Sequence, residues 1–318
     1  MPHILATAPG KAILFGEHAV VYGRPAVAVP VTEVRAKATV MPLISGPAGR
    51  VEIHAPDIQL ESPLADLPGE HPLKVAFHTL QAHLGLERFP ALRLQVRSTI
   101  PLAAGLGSSA ATSVAVLKAL SEFLGRPLEK AELNRLAYEV ERAHHGSPSG
   151  IDNTVITYEQ PVFFRRGEPF QPLEVAAPLI LLVGDTGVPG STAEAIAGVR
   201  RLRDADPAAV EAIFDRIGRL AETARDHLLA GSVTALGPLM DENHRLLEQI
   251  GVSSAELERL VTAAREAGAY GAKLSGGGRG GNMIALVSEE RLEAVRDALL
   301  AAGARRAFAA RILPAVEG

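Results

Sequence analysis

Apolar side chains recur along the chain with different spacings, and each spacing predicts a type of element. Residues 71–86 carry them at every third or fourth position, which predicts an amphipathic helix. Residues 90–98 alternate between apolar and polar positions, which predicts a half-buried strand. Residues 108–124 are apolar on most faces and predict a buried helix, which Gly125 and Pro127 end.

The remaining pattern predicts a mixed α and β fold in two parts. Further strands are predicted at residues 3–8, 25–41, 49–55, 179–184, 271–275, 282–287 and 307–312. Further helices are predicted at residues 131–145, within the amphipathic stretches that extend to about 267, and at residues 289–301. The Pro-rich, polar residues 167–178 predict a boundary. We therefore expect an N-terminal domain over residues 1–172 and a C-terminal domain over residues 173–318, since 318 residues exceed the usual size of a single core.

Composition and charge exclude several classes of function. The net charge of −4 leaves no basic excess for nucleic acid, and the absence of Cys excludes disulfides, thiolate metal sites and a Cys nucleophile. Residues 1–20 lack a basic start followed by an apolar stretch, and no apolar run approaches the length of a membrane span. We expect a soluble, cytoplasmic protein without nucleic-acid or membrane partners.

Glycine is concentrated in three segments that are otherwise largely apolar. They read PGKAILFGEHAVVYG at residues 9–23, PLAAGLGSSA at residues 101–110 and GAKLSGGGRGGNMIAL at residues 271–286. In the second, glycines precede a predicted helix, whose first N–H groups and positive dipole end would bind phosphate. An ordinary loop with Ser109 as the helix N-cap explains this stretch equally well. The third lacks the Gly-Lys-Ser/Thr of a Walker A loop, and the strand that follows it excludes a dinucleotide-binding turn.

Two carboxylates between the second and third segments are candidates for chemistry. Glu141 lies on the flank of the apolar face of the predicted helix 131–145, and with a Ser hydroxyl it would suit Mg²⁺. Asp152 follows the turn residues GSPSG, which predict a loop that would bring it toward a ligand. His144 and His145 form a Glu-x-x-His pattern with Glu141, but di-iron bundles need that pattern twice, so we favour a His pair at a helix C-terminus.

The three glycine-rich segments resemble, in this order, the three motifs of the GHMP small-molecule kinases. The wording GEHAVVYG differs from that of galactokinases, and HGSPSGIDN, VPGSTAEAIAGVR and MDENHRLLEQIGV resemble segments of the branch that phosphorylates mevalonate. The resemblance covers essentially the whole chain. It implies an α+β fold with a ribosomal-S5-like N-terminal domain and a ferredoxin-like C-terminal domain with extra helices, with ATP and substrate meeting in the cleft between them.

The resemblance also implies which residues bind MgATP. The phosphate-binding segment would comprise Pro101, Leu102, Ala103, Ala104, Gly105, Leu106, Gly107, Ser108, Ser109, Ala110 and Ala111. Ser109 and Glu141 match the ligands of Mg²⁺ in this family. ATP and Mg²⁺ are therefore the expected cofactors.

The expected reaction is the phosphorylation of mevalonate to 5-phosphomevalonate, a step of isoprenoid precursor synthesis. By the same resemblance, Asp152 matches the proposed general base, and Lys11 matches a lysine near that aspartate and the γ-phosphate. His18 and Glu17 match residues of the mevalonate pocket, and Thr192 matches a threonine close to the substrate.

Arg279 departs from the family pattern, which is rich in glycine throughout the third segment. Its guanidinium would either contact ATP or product, or point to solvent, and we favour solvent.

Several alternative functions remain open on the sequence. One is another GHMP kinase that acts on a related hydroxy acid or on phosphomevalonate, although no Lys/Arg cluster near residues 9–24 or 146–154 favours a phosphorylated substrate. The others are a decarboxylase of the same fold and a non-catalytic metabolite sensor. Retention of Lys11, Ser109, Glu141 and Asp152 together argues against the sensor. The oligomeric state is also open, a homodimer included.

Overall fold

The computed structural model of the chain describes residues 3–101, 105–146 and 148–314, apart from the side chain of His145. These residues form two compact units, each drawn from separate parts of the sequence. The first comprises the chain up to residue 10 together with residues 34–101 and 107–159, and the second comprises residues 11–33, Gly105, Leu106 and the chain from residue 160 onward. Residues 172 and 173 both lie in the second unit, and the domain boundary between them stays a prediction.

The first unit consists of a sheet and a group of four helices, and one of these helices contacts both the sheet and the other helices. The strands are β1 (Ile4–Phe15), β2 (Ala26–Pro42), β3 (Val51–Ala55), β4 (Leu60–Pro63) and β5 (Leu92–Ser98), of which β1 and β2 continue into the second unit. Neighbouring strands follow the order β4-β3-β5-β2, and only β3 and β5 are parallel among these pairs. The helices are α1 (Pro72–Leu84), α2 (Ser108–Phe123), α3 (Lys130–His145) and α4 (Ile151–Tyr158). Helix α2 contacts the other three helices and β5, which explains why its sequence is apolar on most faces.

The second unit is built on a separate antiparallel sheet. Its strands are β8 (Leu179–Asp185), β9 (Gly271–Ser275), β10 (Asn282–Val287) and β11 (Arg306–Ile312), in the order β11-β8-β10-β9. Two short strands, β6 (Val162–Phe164) and β7 (Gln171–Pro172), extend the first residues of β2 instead. The helices are α5 (Thr192–Ala205), α6 (Pro207–Leu229), α7 (Leu236–Gln249), α8 (Ala255–Glu266) and α9 (Leu292–Ala301). Phe214, Leu247, Leu274 and Met283 are fully buried in the core between helices and sheet.

The structure corrects some predicted elements. The strand predicted at residues 3–8 continues to Phe15, so it includes residues 9–15 of the first glycine-rich segment. Helix α4 and the strands β4, β6 and β7 were not predicted. Asp152 therefore lies on the first turn of α4 and not in a loop. No helix within the described ranges combines the length and the apolar character needed to cross a membrane.

Candidate functional site

In the first unit, the N-terminus of α2 lies beside a buried carboxylate. Gly107 is the N-cap residue with φ 73°, and no side chain caps the helix, so the interpretation of Ser109 as the N-cap is wrong. The Ser109 hydroxyl instead donates a hydrogen bond of 2.6 Å to Glu141 Oε1 on the last turns of α3. Glu141 is only 5% exposed, so this charge-assisted bond offsets part of the cost of burying its carboxylate.

Ser109 and Glu141 form a donor set that fits Mg²⁺. Both supply oxygen, which this hard cation prefers, and both are held by helices of the same unit. His144 and His145 are the last two residues of α3, which confirms the interpretation as a His pair at a helix C-terminus; His144 is exposed, and the side chain of His145 lies outside the described residues. In the described part of the chain, the His and carboxylate group with metal-like spacing is a different one, on α7 and α8, treated below.

Asp152 occupies the second position of α4 and is half-buried. The helix begins after Gly150, whose φ of 94° is readily adopted only by glycine. A negative side chain on the first turn of a helix is stabilised by the partial positive charge of the unpaired N–H groups. Asp152 is thus a carboxylate with partial access to solvent on the first turn of a helix.

The predicted phosphate-binding residues fall into three classes. Leu102, Ala103 and Ala104 lie outside the described residues. Pro101, Ala110 and Ala111 are buried, and the Ala111 N–H donates to the Gly107 carbonyl over 2.9 Å, so among these three the backbone N–H of Ala110 is the group to consider for a ligand. Gly105, Leu106 and Gly107 lead into α2, of which Ser108 is the first residue, and Gly105 and Gly107 have the positive φ values of 81° and 73°. The glycines foreseen for a close turn therefore adopt backbone conformations that other residues avoid.

In the second unit, parts of all three glycine-rich segments contact one another through their backbones. The Lys11 N–H donates to the Leu106 carbonyl over 3.0 Å, and the Lys11 side chain is only 2% exposed. A Cβ atom on Gly105 would lie 2.8 Å from the Ser275 carbonyl oxygen, and one on Gly276 would lie 2.9 Å from the Gly105 Cα. Only glycine fits at these two positions, because any side chain would collide with backbone.

The third segment also contacts the two predicted substrate residues His18 and Thr192. His18 Nε2 donates a 3.0 Å hydrogen bond to the Gly277 carbonyl, so the proton of the neutral ring is on Nε2. Burial lowers the pKa of His18 to about 4, which keeps the ring neutral and leaves Nδ1 as an acceptor. Thr192, the first residue of α5, lies against the same turn, since a Cβ on Gly277 would be 2.8 Å from Thr192 Oγ1.

Glu17, the remaining predicted substrate residue, forms an ion pair that the sequence analysis missed. Its Oε1 accepts a hydrogen bond from Lys273 Nζ, which also donates to the Leu274 carbonyl over 2.6 Å. The side chains of Lys273 and Glu17 are 0% and 1% exposed. Burial raises the pKa of Glu17 and lowers the pKa of Lys273, and the attraction between the two charges opposes both shifts. Lys273 is the one charged residue in an otherwise uncharged strand GAKLS, and that was the available signal.

Arg279 is half-buried, and its guanidinium contacts other parts of the protein, so the expectation that it points to solvent is not confirmed. Its side-chain Nε donates to the Gly251 carbonyl over 3.3 Å, and its backbone N–H donates to the Val252 carbonyl over 2.7 Å. A Cβ on Gly198 of α5 would lie 2.6 Å from the Arg279 guanidinium. With φ 57°, Arg279 adopts a conformation that favours glycine, and these contacts hold it there.

The chain is similar to known proteins over nearly its whole length. Residues 71–160 match the family model of the GHMP kinases N terminal domain, and residues 224–305 match that of the GHMP kinases C terminal. The mevalonate kinase of Pyrococcus horikoshii is 38% identical over 95% of this chain and 93% of its own length. That of Thermococcus sibiricus is 37% identical over 94% of each chain. The crystal structure of L. major mevalonate kinase in complex with R-mevalonate has a TM-score of 0.82 and 31% identity, covering 99% of this chain and 97% of that one.

Proposed function

This chain belongs to the mevalonate kinases within the GHMP kinases, and we propose that it transfers the γ-phosphoryl group of ATP to the C5 hydroxyl of mevalonate. The observation that carries the proposal is the Ser109–Glu141 pair at a helix N-terminus without a side-chain cap. This arrangement offers unpaired N–H groups to an anion and two oxygen ligands to a cation, as a nucleotide with its metal ion requires.

The first turn of α2 binds the phosphates in this proposal. Ser109 and Ala110 contribute N–H groups, and the helix dipole adds partial positive charge. A Mg²⁺ ion bound by Ser109 and Glu141 would neutralise charge on the phosphate oxygens during transfer. Lys11 would supply fixed positive charge to the γ-phosphoryl group.

Asp152 acts on the nucleophile. The C5 oxygen of mevalonate attacks the γ-phosphorus, the bond from that phosphorus to the β-phosphate oxygen breaks, and ADP leaves. Asp152 orients the hydroxyl and accepts its proton, which then passes to solvent. Because the transition state is loose, orientation is a large part of what a carboxylate contributes here.

His18, Thr192 and Glu17 are assigned to the binding of mevalonate. Neutral His18 offers Nδ1 as an acceptor for a substrate hydroxyl, and the exposed Thr192 offers a hydroxyl beside Gly277. Glu17 is engaged by Lys273, so we assign it to shaping this pocket.

Phosphorus NMR of the reaction of purified protein with ATP, Mg²⁺ and mevalonate tests the proposal. We expect one new phosphomonoester, coupled to the C5 methylene protons, and stoichiometric ADP. A 3-phosphate would contradict the regiochemistry. Absence of ADP release with mevalonate, under conditions where phosphomevalonate is consumed, would overturn the substrate assignment.

A further inference from the structure

Strand β9 is an edge strand, yet its outward-facing backbone groups have partners. It follows β10 at the end of the sheet order, so among the described residues one side of the strand has no neighbouring strand. Edge strands normally leave such N–H and C=O groups to water. In β9 the Ala272 N–H donates to Asp241 Oδ1 over 2.9 Å and the Leu274 N–H donates to His244 Nδ1 over 3.2 Å.

The two carbonyl groups of the same residues are also paired with side chains. Arg265 Nη2 donates to the Ala272 carbonyl over 2.8 Å, and Lys273 Nζ donates to the Leu274 carbonyl over 2.6 Å. Arg265 in turn donates from Nε to Asp241 Oδ1 over 2.7 Å. Side chains thus take the place of a missing strand along β9.

Helix α7 supplies two of these partners from one face. Asp241 and His244 are three residues apart, so they lie one above the other on the helix surface. The helix lies close to the strand: a Cβ on Gly237 would be 2.0 Å from the carbonyl oxygen of Tyr270, the residue before β9. The contact between α7 and β9 is therefore specified by backbone approach as well as by side-chain hydrogen bonds.

The hydrogen bonds of His244 fix its protonation. Nδ1 accepts from the Leu274 N–H, so the ring proton is on Nε2, which donates to Glu258 Oε1 over 3.0 Å. Burial lowers the pKa of His244 to about 4, which keeps the ring neutral near pH 7. Ligand atoms of His244, Glu248 and Glu258 lie within 4.8 Å of one another, but a metal on Nε2 would require the proton to move to Nδ1, which faces a donor. The cluster therefore suits a structural hydrogen-bond relay.

Strand β9 carries residues that hold the first glycine-rich segment. Lys273 binds Glu17, and the Ser275 hydroxyl accepts from the Ile13 N–H over 3.1 Å. The turn that follows β9 presents the Gly277 carbonyl to His18. A shift of β9 along or away from its sheet would move these three contacts together.

We propose that His244 is a positioning residue, which holds β9 from α7 and so sets the place of His18 and of the turn at residues 276–281 without touching the substrate. The proposal rests on the proposed function as far as it concerns mevalonate binding. The hydrogen bond from the Leu274 N–H and the tautomer of His244 do not depend on it.

Two substitutions at His244 separate positioning from packing. The amide of His244→Gln offers one acceptor and one donor, as neutral His does, whereas His244→Leu offers neither. Leu247→Ala is the matched control. It truncates a fully buried side chain of the same helix, and this apolar side chain makes no hydrogen bond to β9. Hydrogen exchange of residues 271–275 is measured relative to β10 in each variant, together with kcat and the KM for mevalonate.

In His244→Leu we expect exchange in β9 to rise about tenfold relative to β10, as for the loss of one hydrogen bond, and the KM for mevalonate to rise more than kcat falls. His244→Gln should remain close to the wild type in both. Leu247→Ala should lower Tm without changing the exchange ratio. If His244→Leu does not fold, Asp241→Ala, at a half-buried position, removes the neighbouring bond to Ala272 for the same comparison.

Equal exchange ratios in His244→Leu and Leu247→Ala would overturn the proposal, as would His244→Gln behaving like His244→Leu. The exchange measurement needs no substrate. If the wild type fails to phosphorylate mevalonate, the proposed function fails, while the exchange ratios still decide whether His244 holds β9.

Discussion

The buried Glu17–Lys273 ion pair makes Lys273→Met a sharp test of how the second unit is held together. The substitution leaves a carboxylate that is 1% exposed without its cation, and Glu17 Oε2 already has no hydrogen-bond partner among the described residues. The Leu274 carbonyl also loses its donor. Removing one partner of a buried ion pair costs about 3–5 kcal/mol of the free energy of unfolding. For a unit of this size each kcal/mol corresponds to roughly 2–4 °C in Tm.

The double variant Glu17→Leu/Lys273→Met isolates the charge effect. Replacing a buried ion pair by apolar side chains of similar volume is often neutral or stabilising, so the part of the loss that is due to the unpaired charge should be recovered. The remainder should be about 1–3 kcal/mol, for the unpaired Leu274 carbonyl. Lys37→Met, at an exposed position, is the control and should change the free energy of unfolding by less than about 0.5 kcal/mol.

Urea unfolding followed by circular dichroism measures these differences at pH 7 and again at pH 5. In Lys273→Met, burial without a cation raises the pKa of Glu17 further, and the folded protein takes up a proton there more readily than the unfolded chain does. The deficit relative to wild type should therefore shrink as pH falls, by at most about 1.4 kcal/mol per pH unit. A loss below about 1 kcal/mol in Lys273→Met, against the 3–5 expected, or a double variant as unstable as the single one, would refute the reasoning.

Three further predictions concern catalysis and pH. Glu141→Gln should raise the Mg²⁺ concentration for half-maximal rate and lower kcat, and Ser109→Ala should act in the same direction more weakly; unchanged Mg²⁺ titrations would remove the pair from the metal site. Asp152→Asn should lower kcat by about 10²–10⁴-fold with little change in ATP affinity, as expected for loss of a general base, and a lowered Tm with substantial residual kcat would indicate a structural role instead. The folded-state pKa values of His18 and His244 are lowered to about 4, so the unfolded chain binds protons first as pH falls below about 6.5. Each should cost about 2 kcal/mol of stability between pH 7 and pH 5, partly offset by Glu17, and His244→Gln should lose its share of this dependence in urea unfolding.

Local pattern was sufficient where an element carries its own periodic signal. The strand predicted at residues 282–287 coincides with β10, and the helix predicted at residues 108–124 coincides with α2 to within one residue. Pattern failed where non-local pairing overrides a local breaker. The strand predicted at residues 3–8 stops before Pro9 and Gly10, but β1 continues through both to Phe15, and it pairs with β2. Helix α4 has only eight residues and follows turn residues, so it left no periodic signal.

The candidate site shows the same division. The resemblance to the GHMP motifs predicted that Ser109 and Glu141 lie at the same site, and in the structure their side-chain oxygens are 2.6 Å apart. The partner of Glu17 could not be read from the sequence, because Lys273 is 256 residues away and only the fold brings the two charges together. The hydrogen-bond partners of the β9 edge could not be predicted either, because the sequence of α7 does not indicate which strand its polar residues contact.

The measurement that tests mevalonate kinase activity most directly is a comparison of kcat/KM in one ADP-coupled assay with mevalonate, phosphomevalonate, homoserine and galactose. We predict that mevalonate has the highest kcat/KM and that Asp152→Asn abolishes most of the ADP release with it. A higher kcat/KM for phosphomevalonate or for either of the other alcohols, or ADP release that Asp152→Asn leaves intact, would contradict the assignment.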